Sequence, residues 1–126
     1  MAWVIGLSSL AQGQTFQTIY SFQNSDGANP SVGLTQGSDG VFYGTTANGG
    51  TNNQGTIFKL TTNGVLTTLV SFNGNNGAHP SAELIQDSSG NFYGATSDGG
   101  TDNQGTIFKM STNGVLTEFF SFPLHR

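Results

Sequence analysis

Residues 51–59 read Thr-Asn-Asn-Gln-Gly-Thr-Ile-Phe-Lys, and residues 101–109 repeat this stretch with Asp102 as the single change. The same offset of 50 residues relates Phe42-Tyr43-Gly44 to Phe92-Tyr93-Gly94. A fixed period of roughly 20–50 residues is typical of a repeat architecture, in which each unit buries its apolar faces against its neighbours. The sequence therefore predicts a modular chain of slightly more than two units.

Each unit is predicted to contain four short β-strands. Clusters of Gly, Asn, Asp and Ser separate runs of β-branched and aromatic residues, which is the pattern of strands joined by turns. Asn113-Gly114 suits a two-residue type I′ hairpin turn, because both residues tolerate positive φ. No segment shows a helical period of useful length. The predicted strands span 31–36, 41–46, 56–61 and 65–72 in the first unit, and 81–86, 91–96, 106–111 and 115–122 in the second.

This organisation predicts an all-β fold, a partial β-propeller of about two four-stranded antiparallel blades plus one extra outer strand. Four antiparallel strands in a unit of roughly 40–50 residues form the blade of a β-propeller. The strand at 81–86 would line the central channel, and the strand at 115–122 would be outermost. A β-solenoid is the alternative, but solenoid coils usually have shorter periods and no hairpin turn in every unit. The predicted segments are a signal peptide remnant at 1–13, the outer strand of an incomplete preceding blade at 14–22, blade 1 at 23–72, blade 2 at 73–122 and a tail at 123–126.

The N-terminal residues predict export. Residues 2–10 form a short apolar run, and Ala11-Gln12-Gly13 places small residues where a signal peptidase cleaves. The alternative for this run is an apolar N-terminal strand. It is too short to span a bilayer, so we expect a secreted or cell-surface protein with no membrane span.

Composition excludes several partners and chemistries. Charged residues make up 8% of the chain, the formal net charge is -4, and the basic residues are Lys59, Lys109 and Arg126. Neutralising nucleic acid phosphates requires clustered cations, so no nucleic acid partner is expected. The chain has no cysteine, which excludes disulfides and thiolate metal sites.

The repeated motifs resemble a known family. Residues 80–94 read Pro-Ser-x-x-Leu-x-Gln-x-Ser-x-Gly-x-Phe-Tyr-Gly, and Gly-Thr-Ile-Phe-Lys, Asn-Gly-Val-Leu-Thr and Ser-Phe follow in order. Over residues 15–122 these motifs resemble the GloVer tandem repeat, named for Gloeobacter and Verrucomicrobia. The resemblance implies a propeller-like β array in secreted or surface-anchored bacterial proteins. It implies no established enzymatic activity, so neither a catalytic residue nor a cofactor is expected from it.

Two units are too few for a closed propeller, since known rings have about four to eight blades. We therefore expect one of two partners. Further copies of the chain would form a blade-to-blade homo-oligomer, and further repeats of a longer chain would complete the ring in cis. Open blade faces and an unpaired strand at 15–22 would invite such association. The alternative is a segment of a longer repeat protein without independent function.

One loop carries candidate metal ligands. Asp98, Asp102 and Asn103 flank the Gly99-Gly100 turn and could offer oxygen ligands to calcium. The first unit has uncharged Asn48 and Asn52 at the two aspartate positions. Turn formation by Asx residues is the alternative, and it is the interpretation we favour.

Tyr43 and Tyr93 are candidate ligand-binding residues. Each belongs to a Phe-Tyr pair on a strand, where side chains alternate between the two faces. An exposed tyrosine could stack on a sugar ring. The favoured alternative is packing between blades, because large aromatic side chains usually serve cores.

The remaining polar residues do not indicate catalysis. Glu83 and Glu118 each replace an uncharged residue of the first unit, which does not support a two-carboxylate glycosidase site. His79 takes the place of Asn29 and is expected in a loop. The leading prediction is a non-enzymatic structural or binding module for a surface glycan or protein, with no cofactor. The alternative is a propeller hydrolase acting on polysaccharide.

Overall fold

The structure is a computed structural model that describes residues 3–7, 17–30 and 32–123. The predicted all-β class is confirmed, because the regular elements in these residues are β-strands alone. Within the same ranges no helix is long and apolar enough to cross a membrane. The strands are β1 Trp3–Leu7, β2 Gln17–Phe22, β3 Thr35–Gln36, β4 Phe42–Thr46, β5 Thr56–Leu60, β6 Leu66–Ser71, β7 Ala78–Pro80, β8 Ile85–Gln86, β9 Phe92–Asp98, β10 Thr106–Met110 and β11 Leu116–Ser121.

The strands form three antiparallel sheets, one at the N-terminus and one in each repeat. The N-terminal hairpin consists of β1 and β2. The first repeat sheet has the order β3-β4-β5-β6. The second repeat sheet has the order β11-β10-β9-β7, and β8 also pairs with β9. Consecutive strands therefore lie side by side, as the predicted hairpins require.

The predicted first strand of each unit is shorter than expected. Of the strand expected at 81–86, Ile85–Gln86 forms β8, and the preceding β7 at Ala78–Pro80 also pairs with β9. Pro80 lies opposite Thr96 and Ile85 opposite Tyr93, so the β7–β8 side has more residues than the β9 stretch it faces. The extra residues bulge out of the ladder, and the same region of the first unit retains only β3 as a strand.

The N-terminal hairpin repeats the register of the outer hairpin of each repeat sheet. In β5–β6 and β10–β11 the register shifts after Ile57 and after Ile107. In β1–β2 it shifts after Ile5, which lies opposite Tyr20 just as Ile57 lies opposite Val70. The hairpin therefore has the backbone pairing of the outer half of a repeat sheet, with β2 in the place of the predicted outer strand.

Several predicted segments fall partly or wholly outside the described residues. The structure describes residues 3–7 of the proposed signal segment, and they form the strand β1. An apolar N-terminal strand is the alternative to a signal segment. Residues 1–2, 8–16, 31 and 124–126 lie outside the description, with most of the predicted tail. The export signal stays a prediction.

Each repeat sheet packs one face against the preceding sheet, and the first repeat sheet packs its other face against the second. We call these the leading face and the trailing face. The first core lies between the repeat sheets and combines the trailing face of the first sheet, Tyr43, Ile57, Val70 and Phe72, with the leading face of the second, Leu84, Phe92, Phe108 and Met110. The second core lies under the N-terminal hairpin and combines Phe22 with the leading face of the first sheet, Leu34, Phe42, Phe58 and Leu60.

Buried threonines join the two middle strands of each repeat sheet. Thr46 Oγ1 lies 2.8 Å from Thr56 Oγ1, accepts the Thr56 backbone N–H at 3.1 Å and donates to the Asn48 carbonyl at 2.9 Å. Thr96 and Thr106 make the same bonds in the second sheet. Buried hydroxyls need such partners, so these repeated threonines have a structural role.

Candidate functional site

Tyr43 is buried between the two repeat sheets. Its side chain is 1% exposed, and its ring centroid lies 4.3 Å from that of Phe92. Its hydroxyl donates a 2.8 Å hydrogen bond to Asp39 Oδ2. The packing alternative describes this covered ring, and ligand binding by Tyr43 stays a prediction.

Tyr93 occupies the equivalent position on the second sheet but is only half-buried. Its hydroxyl donates to Asp87 Oδ2 at 3.0 Å. It lies on the trailing face of the second sheet, which no described part of the chain covers in the way that the second sheet covers Tyr43. Tyr93 stays a candidate contact residue.

The two aspartates that hold these tyrosines are not at equivalent sequence positions. Asp87 corresponds to Gly37, and Asp39 corresponds to Ser89. A Cβ on Gly37 would lie 2.7 Å from the Tyr43 ring and 2.8 Å from Asp39 Oδ1, so the first turn has no room for a side chain there. The aspartate of the first repeat therefore lies two positions later in the repeat than that of the second, although both accept a hydrogen bond from the equivalent tyrosine.

The aspartates are held in the ionised form. Desolvation raises the pKa of Asp39, but hydrogen bonds from the Tyr43 hydroxyl and the Val41 amide, with the charge of Lys59, outweigh it and lower the pKa below 3.8. Burial, and then the bond to Asp39, raise the pKa of Tyr43 to about 12. An acceptor that is charged at neutral pH beside a donor that is protonated at neutral pH suits a side-chain pair that stabilises the turn and not a general acid.

The second turn has the same electrostatics. Desolvation of Asp87 is outweighed by hydrogen bonds from the Asn91 amide, the Tyr93 hydroxyl and the Ser89 amide, with the charge of Lys109, so its pKa is lowered. Lys59 and Lys109 lie on the inner strands β5 and β10, each opposite one of these tyrosines in the strand register.

An asparagine side chain stabilises the candidate metal loop by a hydrogen bond to its backbone. Asn103 Oδ1 accepts the Gly99 backbone N–H at 2.8 Å, and Asn53 does the same for Gly49 at 3.0 Å in the first repeat. Asn103 has a φ of 58°, a left-handed conformation that asparagine tolerates. The turn interpretation therefore accounts for this residue in both repeats, with or without a nearby acid.

The aspartates of that loop are not gathered into a ligand set. Asp98 Oδ2 accepts the Ser97 hydroxyl at 3.1 Å, and Asp98 and Asp102 are both exposed. Within residues 3–7, 17–30 and 32–123, no three His, Cys, Asp or Glu side chains come together in a way that could hold a metal ion. Calcium binding by Asp98, Asp102 and Asn103 stays a prediction.

His79 joins the two repeats, a role that its sequence position did not reveal. It lies in β7 with a φ of 56°, so its expected place in a loop is wrong. Its backbone N–H donates to the Gln54 carbonyl at 2.8 Å, and its Nδ1 lies 2.8 Å from the Ala47 carbonyl. Because a carbonyl only accepts, Nδ1 carries the proton in this contact.

Two surfaces of the second repeat are available for contacts. One is an open groove of about 340 Å³ lined by Asn73, Asn75, Asn76 and Leu116. The other is the trailing face, where Phe120 is 48% exposed and Phe122 is 42% exposed. Exposed aromatic side chains at these positions were not singled out from the sequence, although the period relates them to Val70 and Phe72.

The fold and these contacts define a tandem all-β repeat protein, in which each unit repeats the strands, turn anchors and threonine pairs of the other. Residues 7–125 match the model of the Gloeobacter/Verrucomicrobia repeat. The chain belongs to this family, and the resemblance seen in its motifs is confirmed. No curated protein and no solved structure matches the chain.

Proposed function

We propose that this protein is a non-enzymatic repeat module of bacterial secreted or cell-surface proteins, folded as a partial β-propeller and serving a structural or binding role. The observation that carries the proposal is the face-to-face packing of the two repeat sheets. The Tyr43 ring meets the Phe92 ring at 4.3 Å, and the Phe72 ring meets the Phe108 ring at 5.7 Å. Aromatic side chains that fill the space between successive antiparallel sheets suit neighbouring propeller blades.

The placement of the carboxylates favours a non-enzymatic role. A glycosidase requires two carboxyl groups that converge on one bond. Asp26, Asp39 and Asp87 each accept a hydrogen bond from a tyrosine hydroxyl near their own turn. Side chains that hold turns are not free to exchange protons with a substrate, and we propose that the chain requires no cofactor.

A surface glycan or a protein is the class of ligand that we propose. The groove beside Asn73 and Asn75 combines amide groups with the aliphatic Leu116, and such a mixture suits the hydroxyls and apolar faces of a sugar. Other copies of the chain, or further repeats, are the partners proposed for the sheet faces.

The test combines binding with turnover. The full chain is applied to glycan and protein arrays, and the release of reducing ends from bacterial polysaccharides is measured in parallel. Binding that is lost with Asn75→Ala, and retained with Ser25→Ala at the equivalent turn of the first repeat, would support the groove. Release of reducing ends by the protein would overturn the non-enzymatic proposal in favour of a hydrolase. Neither binding nor turnover would restrict the function to a structural role.

A further inference from the structure

The trailing face of the second repeat sheet carries an exposed aromatic pair. The ring centroids of Phe120 and Phe122 lie 5.1 Å apart with an interplanar angle of 76°. At the equivalent positions of the first repeat, Val70 is 9% exposed and Phe72 is fully buried, because the second repeat sheet covers them. Repeats of this type therefore bury the face that Phe120 and Phe122 leave open.

The N-terminal hairpin presents the same pair in the same geometry. Tyr20 and Phe22 stand at the positions equivalent to Phe120 and Phe122, with ring centroids 5.2 Å apart and an interplanar angle of 72°. Phe22 is fully buried against Phe58, with a centroid distance of 5.2 Å. The leading face of the first repeat sheet is thus already shaped to receive two aromatic rings of this spacing.

We infer that the trailing face of the second repeat sheet docks on the leading face of the first repeat sheet in a second copy of the chain. Phe120 and Phe122 of one copy take the place of Tyr20 and Phe22 in the other, and the displaced hairpin leaves that face. The partner is a second copy because this chain carries both the exposed pair and the face that fits it. The inference deepens the proposed structural role and rests on it.

The second repeat sheet of another copy would bury apolar area of the leading face that the hairpin leaves exposed. The hairpin covers only part of the leading face, since Phe58 and Leu60 are at most 1% exposed whereas Leu34 and Phe42 remain half-buried. Under a complete sheet, the equivalents of those two residues, Leu84 and Phe92, are 3% and 0% exposed. The five-stranded second repeat sheet of another copy would cover what the two-stranded hairpin leaves open, and burial of apolar area is favourable.

One contact holds the hairpin in its own chain. The Tyr20 hydroxyl donates to Asp26 Oδ2, and the Gln23 N–H donates to the other carboxylate oxygen at 2.9 Å. Phe120 has no hydroxyl and cannot reproduce this bond. Tyr20→Phe therefore weakens the packing of the hairpin on the leading face but keeps an aromatic ring in the site. It also gives the hairpin the same two side chains, Phe and Phe, as the competing residues Phe120 and Phe122.

The association is head-to-tail, because the two docking faces differ. A heterologous interface of this kind closes into a ring or extends into a filament. Each copy contributes two complete repeat sheets, and the mass is expected to rise in whole multiples of 13.1 kDa.

The test measures the mass of the full chain by light scattering over a range of concentrations. Wild type is expected to associate reversibly, and Tyr20→Phe to lower the apparent dissociation constant by about three- to tenfold, because more molecules have an open leading face. Phe122→Asp is expected to weaken association by about 30-fold or more, since a charge replaces a central aromatic contact. Val115→Asp is the matched control, because Val115 is 60% exposed and its equivalent Val65 stays 56% exposed although the second repeat sheet covers the first.

Complementation distinguishes this association from aggregation. Phe122→Asp inactivates the trailing face, and Phe42→Glu at a half-buried position inactivates the leading face. Each variant alone is expected to be monomeric, and their mixture is expected to form a 1:1 dimer that does not grow. A wild type and Tyr20→Phe that both stay monomeric at millimolar concentration would overturn the inference, as would association unaffected by Phe122→Asp. Either result would leave glycan binding by the monomer to be judged by the arrays.

Discussion

Thr45 carries the buried hydroxyl whose removal should stabilise the protein. Its side chain is 2% exposed, and its Oγ1 has no hydrogen-bond partner among the described residues. The equivalent position in the second repeat is Ala95, so the sheet accepts an apolar side chain here. Thr45→Val replaces the hydroxyl by a methyl group of similar size and keeps the β-branched shape that suits a strand.

The expected gain follows from the cost of burying an unsatisfied hydroxyl. That cost is about 1–3 kcal/mol, and replacement by an apolar group of the same shape removes most of it. We expect Thr45→Val to raise the free energy of unfolding by about 1–2 kcal/mol, which corresponds to a rise in Tm of about 4 °C or more for a domain near this size. Thr45→Ala should gain less, because it also loses a buried methyl group worth about 0.8 kcal/mol.

The adjacent residue provides the matched control. Thr46 is also fully buried, but its hydroxyl makes three hydrogen bonds, two of them with Thr56. Thr46→Val leaves those partners unsatisfied and should lower the free energy of unfolding by about 2–4 kcal/mol. Urea unfolding followed by far-UV circular dichroism, at one protein concentration, would give both values. A loss of stability in Thr45→Val would refute the reasoning, because it would mean that the Thr45 hydroxyl has a partner.

Three further changes test other contacts. Gly94→Ala would place a Cβ 2.5 Å from the buried Phe108 ring, so overpacking should lower the free energy of unfolding by about 1–3 kcal/mol in urea titrations, and an unchanged midpoint would contradict the close approach. Asp39→Asn should lower the free energy of unfolding at pH 7, and this difference from wild type should vanish as the pH falls through the lowered pKa of Asp39. The stability that the protonated Tyr43 hydroxyl contributes in wild type should be lost only as the pH rises from 10 toward 12. A difference in stability that persists at pH 2 would contradict this. His79→Asn should retain thermal stability, because Asn29 adopts the same positive φ in the first repeat, whereas the matched change His79→Ala should cost about 1 kcal/mol or more in the same melt.

The repeat period made most of the fold predictable. A single offset located the turns, three of the four strands in each unit and the outer strand at the N-terminus. Asn113-Gly114 correctly marked the hairpin between β10 and β11, but the predicted two-residue type I′ turn is wrong, because Gly114 has a positive φ of 89° and Asn113 does not, and the Ser111 N–H pairs with the Val115 carbonyl. The fold class thus followed from local chemistry that is the same in both copies.

The parts that escaped prediction depend on contacts between units. Asp39 and Asp87 differ by two positions in the repeat frame, so an offset comparison could not reveal that both accept a tyrosine hydroxyl. The repeat offset could not reveal the pairing of β1 with β2, because Ile5 and Ile57, which hold matching places in their hairpins, are not separated by the repeat period. Tyr43 and Tyr93 have identical neighbours in sequence, and only the position of each sheet in the stack makes one buried and the other half-exposed.

The differences between the two repeats lie where each repeat meets a different neighbour. Phe58 and Phe108 are equivalent phenylalanines, and both are buried on leading faces. On the trailing faces, the equivalent residues are Val70, which the second repeat sheet covers, and Phe120, which is exposed. Glu83 lies against Gly33, its own equivalent, so closely that a Cβ on Gly33 would come 3.3 Å from Glu83 Oε2. A second glutamate at that position would bring two carboxylates together, and like charges at such separation repel. A first-repeat leading face placed after a second-repeat trailing face, as the proposed docking of two copies would place it, avoids this repulsion and meets the aromatic Phe120.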